Sequence, residues 1–197
     1  MASATPARTL MPSLSALAAA HADLSWVSHL SPESSTPQPT RAQDFNKTSR
    51  EVRSGHFVLV RPTPLPAPRM LHFSRALATE IGLEPATAVA PGAPGHDAFV
   101  KFFSGDIPEP SSTSPTTWGT TWATPYALSI YGQEMYDNCP FKNGNGYGDG
   151  RAITVGEIVN PDTDTRYEFQ LKGAGTTPFC RGGDGRAVLR SSVREFL

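Results

Sequence analysis

Two copies of the tetrapeptide Gly-Asp-Gly-Arg lie on either side of one lysine in the last quarter of the sequence. They occupy residues 148–151 and 183–186, and Lys172 lies between them at the end of a strand-like segment. Glycine lets backbone N–H groups approach an anion closely, and arginine or lysine adds full positive charge to the same oxygens. This combination is typical of a site that binds polyphosphate.

A β-hairpin is predicted to carry this lysine. Residues 151–159 and 166–172 have strand patterns, and the sequence Asn-Pro-Asp-Thr-Asp between them is typical of a turn. In the second strand apolar and polar side chains alternate, so one face packs inward and the other carries the lysine. The inward side chains are expected to be Tyr167, Phe169 and Leu171. Lys172 is therefore expected to face a ligand cleft.

A helix is predicted over residues 185–197, with Asp184 as its N-cap. Its core stripe is expected to consist of Leu189, Val193 and Phe196. Glu195 borders this stripe, where it could form an ion pair with Lys172 and orient the lysine toward phosphate. The alternative is a solvated helix charge, and spacing alone favours that alternative.

The earlier part of the chain is predicted to be irregular, because most of the 19 prolines lie before residue 141. A strand is predicted over residues 54–60. A helix is predicted over residues 74–81, with Ser74 as N-cap and Gly82 as the stop. Residues 85–95 and 111–117 are predicted to be linkers.

Composition divides the chain into three parts. Residues 1–22 are expected to be a poorly ordered start that weakly resembles a targeting segment, with a short helix over residues 14–22 as an alternative. A secretory signal is a further alternative. Residues 23–140 are expected to form a loop-rich extension, and residues 141–197 the nucleotide-binding hairpin and helix.

Charge and cysteine content limit the classes of partner. With 17 Lys and Arg against 18 Asp and Glu, the formal net charge of -1 gives no reason to expect nucleic acid as a partner. No apolar run approaches the ~20 residues that span a bilayer. Cys139 and Cys180 have neither the count nor the spacing of a disulfide framework or a zinc site, so both are interpreted as free thiols.

Three segments resemble one known family specifically. They are Asn-Gly-Tyr-Gly-Asp-Gly-Arg at 145–151, Leu-Lys-Gly-Ala-Gly-Thr-Thr-Pro-Phe at 171–179, and Arg-Gly-Gly-Asp-Gly-Arg-Ala-Val-Leu-Arg-Ser at 181–191. These segments closely resemble selenoprotein O, the family also called UPF0061. Residues 60–64 and 74–83 resemble it more loosely, so the chain from about Asp23 onward is identified as a member.

The resemblance implies an α+β fold, the small lobe of a protein-kinase-like enzyme, with a small antiparallel sheet, helices and an irregular proline-rich first half. It implies binding of ATP in a flipped orientation and transfer of AMP to Ser, Thr or Tyr hydroxyls of other proteins, with Mg²⁺ or Mn²⁺. The implied nucleotide contacts are Gly148, Gly150, Arg151, Lys172, Asp184 and Gly185. Glu195 matches the helix glutamate that pairs with the lysine. A salt bridge between Arg151 and Asp184, or a helix cap at Asp184, is the structural alternative.

The sequence ends at Leu197, so the family's large lobe is expected to be missing from it. No catalytic residue or metal ligand is therefore assigned in this chain, and the metal ligands are expected in the large lobe. The chain is expected to carry only the nucleotide-binding half and to be inactive alone. The alternatives are a noncatalytic module that binds a nucleotide or a partner, and a truncated gene product without independent function. The resemblance suggests mitochondria, with the cytoplasm as the alternative.

Overall fold

The computed structural model of the chain describes residues 9–34, 47–48, 50, 52, 54–109, 118–124, 150–180 and 183–196. In chain order its elements are helices α1 (Leu14–His21) and α2 (Ser25–His29), strand β1 (Val58–Leu59), helix α3 (Arg75–Glu80), a π-helical turn (Pro85–Val89), helix α4 (His96–Phe103), strands β2 (Trp122–Ala123), β3 (Ala152–Asn160) and β4 (Thr165–Lys172), and helix α5 (Leu189–Phe196). The strands form one antiparallel sheet in the order β1-β2-β3-β4. The expected α+β class with a small antiparallel sheet is confirmed.

The β3–β4 hairpin lies within one residue of its predicted bounds. Asn160 Oδ1 accepts the Asp162 N–H at 3.0 Å across the turn, as asparagine commonly does where a turn begins. Leu171 is buried and Phe169 is half-buried, whereas Lys172 is exposed on the opposite face. The predicted facing of β4 is confirmed.

The inner face of the hairpin packs against α1 and against aromatic side chains around α4. Leu17 of α1 and Ile158 of β3 are both fully buried, and Phe169 contacts Trp118 edge to face with ring centroids 5.2 Å apart. The short helix considered for residues 14–22 is present as α1, and Ser13 Oγ caps it by accepting the Ala16 N–H at 3.2 Å. The described start of the chain therefore shares its core with the hairpin.

Helix α3 confirms the helix predicted after Ser74. Ser74 Oγ accepts the Leu77 N–H at 3.1 Å, and Gly82, with φ of 96°, follows the last turn. A strand does lie within the predicted range of residues 54–60, but it is shorter than predicted. Only the two residues of β1 pair with another strand of the sheet.

Residues 85–95 are not the linker that the sequence predicted. The π-helical turn places Ala88 and Val89 in the core with 1% and 0% exposure. Helix α4, which the sequence analysis missed, adds Phe102 to the same core. Gly95 precedes α4 without a side-chain cap, so the start signal that marks other helices is absent there.

Helix α5 begins at Leu189, four residues later than predicted. Asp184 Oδ1 accepts the Arg186 N–H at 3.0 Å in a local turn, and Gly185 has φ of 68°, which is outside the helical region. The predicted core stripe is wrong for the described chain. Its members Leu189, Val193 and Phe196 are 61%, 46% and 55% exposed.

Candidate functional site

The segment after β4 and the segment before α5 pair as a short antiparallel ladder. The Gly175 N–H donates to the Gly185 carbonyl at 3.3 Å, and the Ala187 N–H donates to the Gly173 carbonyl at 3.2 Å. Ala174 lies opposite Arg186 in this ladder. The pairing brings the end of the lysine-bearing strand to the start of α5.

Glycine is required in this ladder because the two backbones approach closely. A Cβ at Gly173, where φ is 84°, would lie 2.3 Å from the Ala187 nitrogen. A Cβ at Gly185, where φ is 68°, would lie 2.2 Å from the Gly175 carbonyl oxygen. Real Cβ atoms do not come this close to other atoms, and both φ values favour glycine. These glycines therefore serve to join the two segments.

Arg151 of the first tetrapeptide is held on the same ladder. The Gly173 N–H donates to the Arg151 carbonyl at 3.0 Å, and Arg151 Nη1 donates to the Arg186 carbonyl at 3.4 Å. Arg151 of the first tetrapeptide, Arg186 of the second and the end of β4 thus meet in one place.

A pocket of about 240 Å³ opens between the end of β4 and α5. Its described lining consists of Arg151, Lys172, Ala187, Val188, Ser191, Ser192 and Phe196. Two cations and two hydroxyls face it, and no carboxylate is among these lining residues. This chemistry suits an anion, because charged donors and hydroxyls bind phosphate oxygens strongly.

Gly150 supports the pocket from behind. Its carbonyl accepts hydrogen bonds from Thr177 Oγ1 at 2.6 Å and from Cys180 Sγ at 2.8 Å. A Cβ at Gly150 would lie 2.1 Å from the Phe179 carbonyl oxygen, so only glycine fits against this turn.

The proline-containing segment around Thr63 packs on the other side of the ladder. The Thr63 N–H donates to the Ala174 carbonyl at 2.7 Å, and Arg186 Nη1 donates to the Thr63 carbonyl at 2.7 Å. Lys47 Nζ donates to Thr63 Oγ1 at 2.8 Å. Burial lowers the pKa of Lys47, and the charges of Arg186 and Arg61 lower it further. The positive field around the ladder is therefore dense enough for these cations to affect one another.

A family model described as "Protein adenylyltransferase SelO" matches residues 40–197. The chain belongs to this family. Among curated relatives, "Protein nucleotidyltransferase YdiU" of Nitrosospira multiformis is 41% identical over 149 residues, which cover 75% of this chain and 22% of that protein. The protein of the same name from Burkholderia pseudomallei is 45% identical over 134 residues, which cover 68% of this chain and 22% of that protein. This SelO-family chain thus spans 22% of the length of these relatives.

Within the SelO-family chain, the residues singled out from sequence occupy different places around the pocket. Arg151 and Lys172 both line it, whereas Gly150 lies behind it and Gly185 lies in the ladder. Asp184 is exposed, outside the described lining. Gly148 and the side chain of Glu195 lie outside the described residues, so the Glu195–Lys172 ion pair remains a prediction.

Sequence reasoning missed several residues of this site. Thr177 lies behind Gly150, Thr63 lies across the ladder, and Ser191 and Ser192 supply the hydroxyls of the pocket. Ser191 and Ser192 follow the second Gly-Asp-Gly-Arg segment by a few residues. This short separation was a signal that could have marked them as phosphate ligands. Thr63 had no local signal, because its partner Ala174 is more than a hundred residues away.

The described ranges contain no group of three or more His, Cys, Asp or Glu side chains placed to hold a metal ion. No residue of these ranges is assigned to a divalent cation, and no chemical step is assigned to one. Across the same ranges, every helix is too short or too polar to cross a bilayer.

Proposed function

We propose that this chain forms the nucleotide-binding small lobe of a protein-kinase-like adenylyltransferase. The order of elements supports this proposal: a glycine-containing turn, a hairpin whose second strand ends in Lys172, and then helix α5. That order matches the small lobe of kinase-like folds. The ligand is ATP, and its phosphates lie in the pocket between β4 and α5.

The single observation that carries the proposal is that Arg151 and Lys172 line one pocket. They are 21 positions apart in sequence, and the β3–β4 hairpin brings them together, because Lys172 pairs with Ala152, the residue after Arg151. A volume of about 240 Å³ is below the ~300 Å³ at which small-molecule sites usually begin, so the pocket suits the phosphate end of a nucleotide.

The proposed reaction is transfer of AMP from ATP to a Ser, Thr or Tyr hydroxyl of another protein. The hydroxyl oxygen forms a bond to the α-phosphorus, the bond from that phosphorus to the oxygen it shares with the β-phosphorus breaks, and the hydroxyl proton passes to a base that we propose lies outside this chain. Negative charge grows on the departing pyrophosphate. Fixed cations in a cleft stabilise such charge without having to reorganise, which is the role we assign to Lys172 and Arg151.

The remaining parts of the reaction are proposed to lie outside this chain. Because the chain spans 22% of the length of its relatives, we propose that it binds the nucleotide but does not transfer AMP alone. Mg²⁺ or Mn²⁺ is proposed to be held by ligands in the part of the family's length that the chain does not span. A noncatalytic nucleotide-binding module is the alternative.

Calorimetric titration of the 197-residue chain with ATP tests the proposal. We expect binding, and we expect Lys172→Met to weaken it about tenfold or more, because a charge-assisted hydrogen bond to phosphate is lost. Arg190→Ala is the matched control, since Arg190 is an exposed cation of α5 outside the described pocket lining. Equal losses in the two variants, or no ATP binding by the parent chain, would contradict the proposal.

An AMP-transfer assay separates the enzyme from the module. ATP labelled at the α-phosphate is incubated with the chain, and in parallel with the full-length Nitrosospira multiformis relative. Labelled protein in the reaction with the relative, and none in the reaction with this chain, supports the proposal that the chain is the nucleotide-binding part of an enzyme. Labelled protein in the reaction with this chain would contradict the proposal that it does not transfer AMP alone. No label in either reaction favours the noncatalytic module.

A further inference from the structure

We infer that Thr177 and Cys180 are positioning residues that hold Gly150 and thereby aim Arg151 into the pocket. This inference rests on the proposed function, because that function assigns Arg151 to contact with phosphate. Neither residue is among the described lining of the pocket, so both act through Gly150.

The Gly150 carbonyl is held by two side-chain donors at once. The Thr177 hydroxyl donates to it at 2.6 Å and the Cys180 thiol donates to it at 2.8 Å. A carbonyl oxygen has two lone pairs, and here both are occupied. Two bonds fix the direction of the carbonyl, whereas one bond would let it swing about the donor.

The turn that supplies these donors is itself closed by hydrogen bonds. Thr177 Oγ1 accepts the Phe179 N–H at 3.1 Å, and Cys180 Sγ accepts the Thr177 N–H at 3.3 Å. Thr177, Phe179 and Cys180 are 0%, 3% and 4% exposed, so water does not compete for these bonds. The turn is therefore a rigid support, which loops near a surface usually are not.

Arg151 is the residue that this support positions. Its own carbonyl accepts the Gly173 N–H at 3.0 Å, so the backbone is held at two successive carbonyls from two directions. The hydrogen bonds to the Gly150 carbonyl come from the turn at residues 177–180. The hydrogen bond to the Arg151 carbonyl comes from Gly173, directly after β4. The Gly150 carbonyl lies in the peptide plane before the Arg151 Cα, and the Arg151 carbonyl lies in the plane after it. Fixing both planes fixes the direction in which the Arg151 side chain leaves the backbone. Arginine then reaches the pocket without losing further backbone freedom on binding.

The order of the Arg151 side chain tests this inference without any nucleotide. Its Nε–Hε signal in NMR spectra is assigned by its loss in Arg151→Ala. We expect Thr177→Val, which keeps the shape and removes the hydroxyl, to shift or broaden this signal. Thr177→Ser keeps the hydroxyl and should leave the signal as in the parent. An unchanged signal in Thr177→Val would overturn the inference.

A double-mutant cycle then tests the effect on ATP binding by the 197-residue chain. Thr177→Val should weaken binding about three- to tenfold, the range for one hydrogen bond, and should have no effect in the Arg151→Ala background. An equal loss in both backgrounds would mean a general structural role and would contradict positioning. Thermal unfolding of every variant shows whether it is folded at the temperature of the titration.

Two outcomes separate this inference from the proposed function. If the parent does not bind ATP while the Arg151 signal still responds to Thr177→Val, the proposed function fails and the positioning of Arg151 stands. If Thr177→Val does not fold, Cys180→Ala removes the second donor and leaves the threonine in place. A response of the Arg151 signal to Cys180→Ala supports the inference, and no response overturns it.

Discussion

At the scale of single residues, three glycines around the candidate site are explained by backbone contact. Gly150 lies against Phe179, Gly173 against Ala187 and Gly185 against Gly175. Gly150 and Gly185 stay predicted nucleotide contacts, and in the structure they also lie where segments of the chain meet. The cations that face the pocket, Arg151 and Lys172, are held by that meeting.

Gly173→Ala should destabilise the chain more than Gly92→Ala does. Both glycines have positive φ, 84° and 80°, but a Cβ at Gly92 would meet nothing within 4 Å. The shared conformational cost is about 1–2 kcal/mol, and the contact with Ala187 should add about 1–3 kcal/mol at Gly173. The free energy of unfolding in urea measures both variants. Equal values would show that the ladder does not require the close approach.

At the scale of elements, the β3–β4 hairpin agreed with its sequence pattern and α5 did not. The hairpin has a turn signal at Asn160 and regular alternation along β4, and both act over a few residues. The start of α5 depends on the ladder, because residues 185–187 pair with residues 173–175 instead of forming the first helical turn. Helical periodicity carries no information about such a distant partner.

Helix α1 is expected to be part of the folded core and to contribute to its stability. Leu17 is 0% exposed, whereas Leu77 of α3 is 49% exposed. Leu17→Ala should lower the free energy of unfolding by about 2–5 kcal/mol, because it opens a cavity under the sheet. Leu77→Ala is the control with the same chemistry and should cost much less. Similar effects in thermal or urea unfolding would contradict a core role for α1.

At the scale of the whole molecule, one surface stands out because it is apolar and exposed. Val188, Leu189, Val193 and Phe196 are all at least 46% exposed. The spacing predicted that most of these side chains would be buried, and in the described chain no element covers them. The helix has the pattern of a packed element, and the His72 ring stacks on its Phe196 with ring centroids 5.7 Å apart.

The pH dependence of stability is also a property of the whole molecule. Burial raises the pKa of Glu157, with Arg166 opposing the rise, and Glu157 Oε2 has no hydrogen-bond partner among the described residues. The hydrogen bond from Arg166 holds the pKa of Asp23 well below its usual range. Because the pKa of Glu157 is raised in the folded chain, this group makes the fold less stable as pH rises through that pKa. Because the pKa of Asp23 is depressed, the stability that this group contributes is lost as pH falls.

Glu157→Gln should therefore stabilise the chain near neutral pH. Its advantage over the wild type should shrink as pH falls toward the ordinary glutamate value of 4.5, because the wild-type side chain becomes protonated and neutral there. Asp97→Asn, at an exposed carboxylate of α4, is the control for the removal of one carboxylate charge. Urea unfolding across this pH range measures both, and an advantage that grows in acid would contradict the assignment.

The sequence by itself determined the parts that depend on neighbouring residues. The hairpin, the facing of Lys172, the capped helix after Ser74 and the convergence of cations near the glycine-containing turns all follow from short-range periodicity, turn chemistry and charge. Family membership follows from the three segments at 145–151, 171–179 and 181–191, each of which is a short run of neighbouring residues.

Only the tertiary structure decided which distant segments touch. It placed Thr177 behind Gly150, Thr63 across the ladder, residues 85–89 in the core and the start of α5 at Leu189. Each of these depends on a hydrogen bond or a packing contact between segments far apart in sequence. Such contacts form only when the whole core assembles, so no window of sequence can contain them.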